Sequence, residues 1–257
     1  MENCYEISAK SLKEQEKFLT TGCLKLDEKL KGGISCSGIT QIYGVAGSGK
    51  TQLALQLSLT VQLPIAAGGF DAGAVYLCTD STFPSRRLQE LIKKLEISKK
   101  YGATGDKIFV QHISNMEQLE YCVFKEIPLL MNIHKIGLVI IDSIAGLYRV
   151  EKWDDESVGR SKSLRCVGQQ LHKLCKTTKI CVICINQVTA IINDFSIKGE
   201  KEIFEQPSLG VTWLSMITNS IHLYKKESKR YASVTSPYLP QITFSFKVSE
   251  CGVTSIE

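Results

Sequence analysis

Gly44-Val45-Ala46-Gly47-Ser48-Gly49-Lys50-Thr51 is a complete G-x-x-x-x-G-K-[ST] phosphate loop. Its flanks fit the chemistry: Ile39–Tyr43 before it reads as a strand, and Lys50 to Gln62 after it as a helix with Leu53, Leu57 and Val61 on one stripe. Glycines let the backbone turn tightly and aim N–H groups at phosphate oxygens, and the helix N-terminus adds its positive end. Lys50 is then expected to reach the β- and γ-phosphates and the Thr51 hydroxyl to ligate magnesium. The cofactors expected from this loop are ATP and Mg2+.

Outward from the loop, short apolar runs alternate with amphipathic stretches. Ala74–Cys78 reads as a second strand, closed by Thr79-Asp80, and Leu88, Leu91, Ile92 and Leu95 recur at helical spacing. Lys107 to Ile113 reads as a strand, Ser114-Asn115-Met116-Glu117 as a capping box opening a helix, and Pro128 as that helix's end or kink. Gly137 to Ile141 is a wholly apolar strand that delivers Asp142 to the sheet edge, a second carboxylate for the metal. Leu164, Val167, Leu171 and Leu174 mark a helix, and Ile180 to Ile185 a strand ending in Asn186-Gln187. Asp80 and Gln187 thus also sit at strand C-termini, the edge where open α/β sheets bind ligands, and are the candidates for the base or water-positioning group. Met216 to Tyr224, Tyr231 to Thr235 and Ile242 to Val248 are β-rich with turns between them. The expected fold is α/β: a mostly parallel twisted sheet with helices on both faces and an antiparallel C-terminal extension. Residues 1–21 read as an arm or linker and 22–257 as one domain.

The chain has 257 residues, 44% of them hydrophobic, with 31 basic and 26 acidic side chains giving +5. That composition excludes disordered and fibrous classes. No apolar run approaches the roughly 18 residues of a membrane span, and the acidic, polar start does not read as a signal peptide, so no membrane association is expected. The ten cysteines lie in apolar stretches and read as small reduced hydrophobes. His172-x-x-Cys175 with Cys181-x-x-Cys184 imitates a zinc spacing, but residues three apart on a strand point to opposite faces.

Thr21-Gly22-Cys23, Leu26-Asp27, Gly32-Gly33-Ile34, the phosphate loop with Gln52, Tyr76-Leu77-Cys78-Thr79-Asp80, Ile185-Asn186-Gln187-Val188 and Ser236-Pro237-Tyr238-Leu239-Pro240 resemble the RecA/RadA strand-exchange ATPases. The resemblance runs from about residue 20 to the end. Within that family the chain is similar to the eukaryotic recombinase paralogues, through Gln52-Leu53-Ala54-Leu55-Gln56-Leu57, Gly73-Ala74-Val75-Tyr76 and Phe83-Pro84. The resemblance implies a RecA-like P-loop ATPase core in which Asp80 takes the catalytic glutamate's place, Arg87 stacks on adenine and Gln187 senses the γ-phosphate. It implies DNA-contacting loops after Asp142 and after Gln187.

It further implies a weak DNA-dependent ATPase, assembled with other recombinase paralogue subunits in the nucleus. There it would help the strand-exchange recombinase on single-stranded or branched DNA during homologous-recombination repair of double-strand breaks and crosslinks. A nucleotide-clamped interaction module without significant hydrolysis is the alternative. Departures from the family pattern are specific. Asp80 is one methylene shorter than glutamate, Thr235 stands where recombinases carry an acidic cap, Ser215 stands for a histidine, and Tyr5 to Ala9 matches the Phe-x-x-Ala docking motif poorly. Slow hydrolysis and no autonomous filament are therefore expected. The second loop, Val188 to Leu209, sets Lys198 and Lys201 against Asp194, Glu200, Glu202 and Glu205, a poor electrostatic track for single strands. Lys225-Lys226 with Lys229-Arg230 is either the solvated end of a hairpin or a basic cluster that tracks a phosphate backbone or serves as a nuclear signal.

Overall fold

The computed structural model describes residues 16–150, 158–193, 202–237 and 239–256. Its strands are β1 (Phe18–Leu19), β2 (Ile34–Ser35), β3 (Ile39–Tyr43), β4 (Gly73–Cys78), β5 (Ile108–His112), β6 (Ile136–Asp142), β7 (Cys181–Asn186), β8 (Val188–Asn193), β9 (Glu202–Pro207), β10 (Asn219–Lys226), β11 (Lys229–Ser236), β12 (Leu239–Ser249) and β13 (Gly252–Ser255). Nine of these form one sheet in the order β13-β12-β11-β10-β3-β7-β6-β4-β5. From β10 to β5 every neighbouring pair is parallel; β10 to β13 are joined antiparallel. This is the architecture expected from the apolar runs.

The strands bury both faces, so side-chain alternation divides the core in two. Tyr76, Leu138, Ile140, Cys181, Ile183 and Ile185 face one layer, with Leu53 and Leu57 of the helix Lys50–Thr60. Val75, Leu77, Val139, Ile141, Val182 and Cys184 face the other, with Val167 and Leu171 of the helix Val158–Thr178. Cys181 and Cys184 therefore lie on opposite sides of the sheet, as their spacing requires. His172 Nε2 is 2.7 Å from the Met216 carbonyl oxygen.

Buried polar groups in the helix Lys50–Thr60 tie it to its surroundings. Gln56 donates to the carbonyls of Thr21 and Val253 and accepts from the Val253 N–H at 2.7 Å. Thr60 Oγ1 donates to the Thr20 carbonyl at 2.7 Å. The expected boundary between arm and core at residue 21 consequently falls inside packed structure. Leu19 is fully buried opposite Ile34, and Thr20 N–H bonds the Gly68 carbonyl.

Two local expectations shift. The cap of the helix Met116–Tyr121 is Asn115, whose Oδ1 accepts from Gln118 N–H at 2.9 Å, while Gln118 Oε1 accepts from Ser114 N–H. The reciprocal pair is thus one residue further on than Ser114/Glu117. Nor does Pro128 end the helix. A π-helical stretch, Cys122–Glu126, precedes it, and Pro128 opens the α-helix Ile127–Ile133 at a position where the missing N–H costs little. The second expected DNA loop starts and ends as an antiparallel ladder, β8 against β9, from Val188↔Pro207 to Asn193↔Glu202. Asp194, Lys198, Glu200 and Lys201 of that loop, and the expected docking stretch Tyr5 to Ala9, lie outside the described residues.

Candidate nucleotide-binding site

Parallel register puts four strand ends at one edge. Tyr43 is opposite Asn186, Asp142 is opposite Ile185, and Cys78 is opposite Asp142. The phosphate loop, Asp80, Asp142 and Gln187 therefore all leave the sheet together.

The loop's shape depends on its glycines. Gly44 has φ +150°, and a Cβ there would lie 2.0 Å from the Leu223 carbonyl oxygen, so only glycine lets β10 pass. Gly49 has φ +117° and caps the helix Lys50–Thr60. Ser48 N–H closes the turn on the Val45 carbonyl at 3.2 Å, leaving Ala46 and Gly47, the latter at φ +71°, exposed at the tip. Lys50 Nζ folds back on the loop, donating to the carbonyls of Gly44 at 2.7 Å and Val45 at 2.9 Å. Burial lowers its pKa, while Asp142 and Glu205 oppose that shift. Ser48 Oγ is buried with no hydrogen-bond partner among the described residues.

Beside the cradle, Asp142 Oδ2 accepts two hydroxyl donors: Thr51 Oγ1 at 2.9 Å and Tyr76 Oη at 2.6 Å. Burial raises the Asp142 carboxyl above its usual range, with Tyr76, Thr51 and Lys50 pulling down and Asp80 pushing up. Tyr76 is fully buried, and burial followed by the Asp142 charge lifts its phenol well above the ordinary value. A hydroxyl–carboxylate pair at the first turn of a phosphate-loop helix suits an oxygen-seeking Mg2+. The residues present fit Mg-ATP.

Asp80 is held a little further along the edge. Its Oδ2 accepts from Ser143 Oγ and from Gln187 Nε2, the latter at 2.9 Å. Its Oδ1 occupies the space above Gly146, where a Cβ would lie 1.5 Å away. Gln187 Oε1 in turn accepts from Arg149 Nη1, and Arg149 Nη2 donates to Ser208 Oγ at 2.8 Å. Asn186 is buried, donating to Gln41 Oε1 and the Ser208 carbonyl, both at 2.8 Å, and accepting from Gln187 N–H. Arg87 lies elsewhere in the network. Its Nε donates to Gln52 Oε1 at 2.7 Å, and its Nη atoms reach Glu90 and the carbonyls of Ser249 and Glu250. It thereby links the helices Ser85–Lys94 and Lys50–Thr60 to the β12–β13 turn.

Tyr76, Ser143 and Gly146 are not picked out as site residues by the sequence, whereas Arg149 opens the first expected DNA loop, Arg149 to Arg165. Tyr76 carried a faint signal, standing two residues before Cys78 on an apolar strand and so on the face of the strand's last residue. Its partner follows only from the β4–β6 register, in which Asp142 is the diagonal neighbour of Tyr76.

Comparison with known proteins gives the family. The Rad51 family model matches residues 13–256. The chain is 39% identical over 226 residues to DNA repair protein XRCC3 of Mus musculus, a stretch that covers 80% of this chain and 63% of that one. It is 32% identical over 285 residues to DNA repair protein rhp57 of Schizosaccharomyces pombe, covering 95% and 80%. With DNA repair and recombination protein RadA of Ignicoccus hospitalis the identity is 30% over 251 residues, covering 93% and 73%. The chain thus spans less than two thirds of the mouse relative it matches. One continuous family match takes in the phosphate loop, all the described strands, and Asp80, Asp142 and Gln187 alike: the chain belongs to the Rad51 family.

Proposed function

We propose that this chain is an ATP-binding Rad51-family subunit that acts in homologous-recombination repair, assembled with related subunits on single-stranded or branched DNA in the nucleus. The observation that carries the nucleotide assignment is the phosphate loop itself, with Lys50 folded back onto it and the Thr51 hydroxyl paired with Asp142 beside it. In this reading Gly44 to Thr51 hold the phosphates, Thr51 and Asp142 hold Mg2+, Gln52 and Arg87 lie toward the base, and Asp80 and Gln187 address the attacking water. Bound Mg2+ would draw charge from the β- and γ-phosphate oxygens. Asp80 is already engaged by Ser143 and Gln187, which favours slow hydrolysis and keeps the second reading, a nucleotide clamp with no significant turnover, in play.

Partner contact has its own support. β5 is one of the two outer strands of the sheet among the described residues, and Val110 on it and Leu129 and Ile133 beside it are exposed, Ile133 at 76%. An unpaired edge next to an apolar groove suits an extended segment of a related subunit that adds a strand and buries alternate side chains. Thr235, at the acidic-cap position, is exposed on β11, so one face for self-assembly lacks its charge. No helix among the described residues is long and apolar enough to cross a membrane.

Lys50→Ala tests the nucleotide assignment. Losing a charge-assisted contact to phosphate is worth about 2 kcal/mol or more, roughly 30-fold in affinity. Mg-ATP affinity should fall by that much while circular dichroism stays native. Unchanged affinity in a folded Lys50→Ala protein sinks the assignment.

A further inference from the structure

Among the described residues β5 pairs only with β4, so its other side is open. Alternation along the strand puts Phe109 and Gln111 on one face. Across from that face stand the π-helical stretch Cys122–Glu126 and the helix Ile127–Ile133. Between strand and helices runs a cavity of about 480 Å3, walled by Val75, Phe109, Ile127, Leu129, Leu130 and Ile133. The groove is apolar along its walls except at one place.

There Gln111 Nε2 donates to Glu126 Oε2 at 2.7 Å, while Gln111 Oε1 accepts from the Cys122 thiol at 3.1 Å. The edge strand's own side chain therefore holds a carboxylate in the groove. Glu126 is half-buried, and it is the last residue of the π-helical stretch, a conformation found frequently at functional sites. Its contacts among the described residues are neutral donors, the Gln111 amide and the Cys122 thiol. No ion pair among the described residues includes it, and Lys125 beside it is exposed. A carboxylate set into apolar surroundings calls for an opposite charge.

A strand added to β5 lies about 5 Å away, with the residue opposite Gln111 on the same face as Gln111. A lysine or arginine at that place lays its apolar stem along the groove and brings its head to Glu126. Residues two positions to either side of it then meet the apolar walls. An acidic side chain at the same place meets a like charge.

We propose that Glu126 is the specificity-determining residue of this groove, and that the occupant is an extended segment of a partner chain carrying a basic residue between apolar ones at alternate positions. The proposal rests on the strand-addition reading above and names what the added strand must carry. Main-chain pairing along β5 supplies affinity, and the carboxylate supplies the choice of partner.

The test uses the full chain and two labelled peptides, Thr-Val-Thr-Lys-Thr-Val-Thr and its twin with glutamate at the centre. Fluorescence anisotropy gives their affinities for wild type, Glu126→Gln and Glu126→Lys, with the thermal midpoint as the check on folding. Wild type should favour the lysine peptide by at least about tenfold, the scale of a charge-assisted contact. High salt should narrow that preference. Glu126→Gln should bind both peptides alike, and Glu126→Lys should favour the glutamate peptide. Bound lysine peptide should shift the backbone amide resonances of β5. Equal affinities in wild type, or a preference that survives Glu126→Gln, overturn the role of Glu126. Shifts that spare β5 overturn the place. Self-association of wild type that Glu126→Lys abolishes would give the groove to a second copy of this chain and overturn the heterologous partner. Failure of folded wild type to bind either peptide, by contrast, overturns the strand-addition reading itself.

Discussion

Gly146→Ala separates the stability of this fold from its chemistry. A Cβ at Gly146 would sit 1.5 Å from Asp80 Oδ1 and 2.5 Å from its Cγ, where real contacts are not shorter than 3.0 Å. The carboxylate must therefore retreat by about 3.0 − 1.5 = 1.5 Å. Asp80 is a short side chain, so the retreat means a new rotamer rather than a flex, and a 2.9 Å bond from Gln187 does not survive it. Misplacement of a reacting group by about 1 Å can cost on the order of 10²-fold in rate. Stability should barely change. Alanine gains up to about 1 kcal/mol over glycine within a helix. The displaced carboxylate gives up bonds worth about 1 kcal/mol each net, which water partly replaces. Since each kcal/mol moves the midpoint by about 2–4 °C in a domain of this size, the melting temperature should stay within a few degrees. Phosphate release under saturating Mg-ATP should drop about 100-fold, with ATP affinity intact because the phosphate loop is untouched. The double variant with Asp80→Ala closes the argument: once the carboxylate is gone the clash is gone, so Gly146→Ala should then cost nothing more. Turnover within about threefold of wild type in a folded Gly146→Ala protein would refute the placement of Asp80 in the reaction.

Three further outcomes follow from the same structure. Tyr76→Phe removes the donor 2.6 Å from Asp142 Oδ2 and leaves the packing in place, so urea unfolding near neutral pH should lose about 1.5–3 kcal/mol. Tyr76 pulls the Asp142 pKa down, so its removal raises the folded-state value; the loss should be full where Asp142 is ionised and shrink as pH falls through that value. A difference constant with pH would contradict this. Among the described cysteines, Cys251 is exposed, whereas burial pushes the thiols of Cys78, Cys122 and Cys175 up to about 12. Mass-spectrometric alkylation mapping should therefore label Cys251 first and those three, with the fully buried Cys181 and Cys184, last in the native protein. Light scattering with a non-hydrolysable ATP analogue and single-stranded DNA should show no long polymers of the chain alone. A filament needs both faces of one subunit to match, and extended filaments without a second protein would overturn the heteromeric reading.

Local chemistry made the fold and half the site legible. Apolar runs of strand length alternate with helical spacing along most of the chain, and that pattern is set by nearest neighbours alone, which is why the parallel core and the antiparallel extension could be read directly. The phosphate loop is likewise a contiguous motif whose glycines, lysine and threonine act within eight positions. Asp142 and Gln187 could be picked because each ends a strand that leads to the ligand edge. What tertiary structure alone decided is who touches whom there. Asp80 and Gln187 are 107 positions apart, and Tyr76 and Asp142 are 66 apart. Such pairs are fixed by the β4–β6–β7 order and its register, which no local period encodes. The same holds for Gly146, ordinary in sequence yet the only residue type that leaves Asp80 its place. It holds too for Arg149, an unremarkable residue in the last turn of a helix until the sheet sets Gln187 and Ser208 within its reach. Backbone periodicity is a property of the chain; side-chain constellations at a sheet edge are a property of strand order, and only the folded molecule has one.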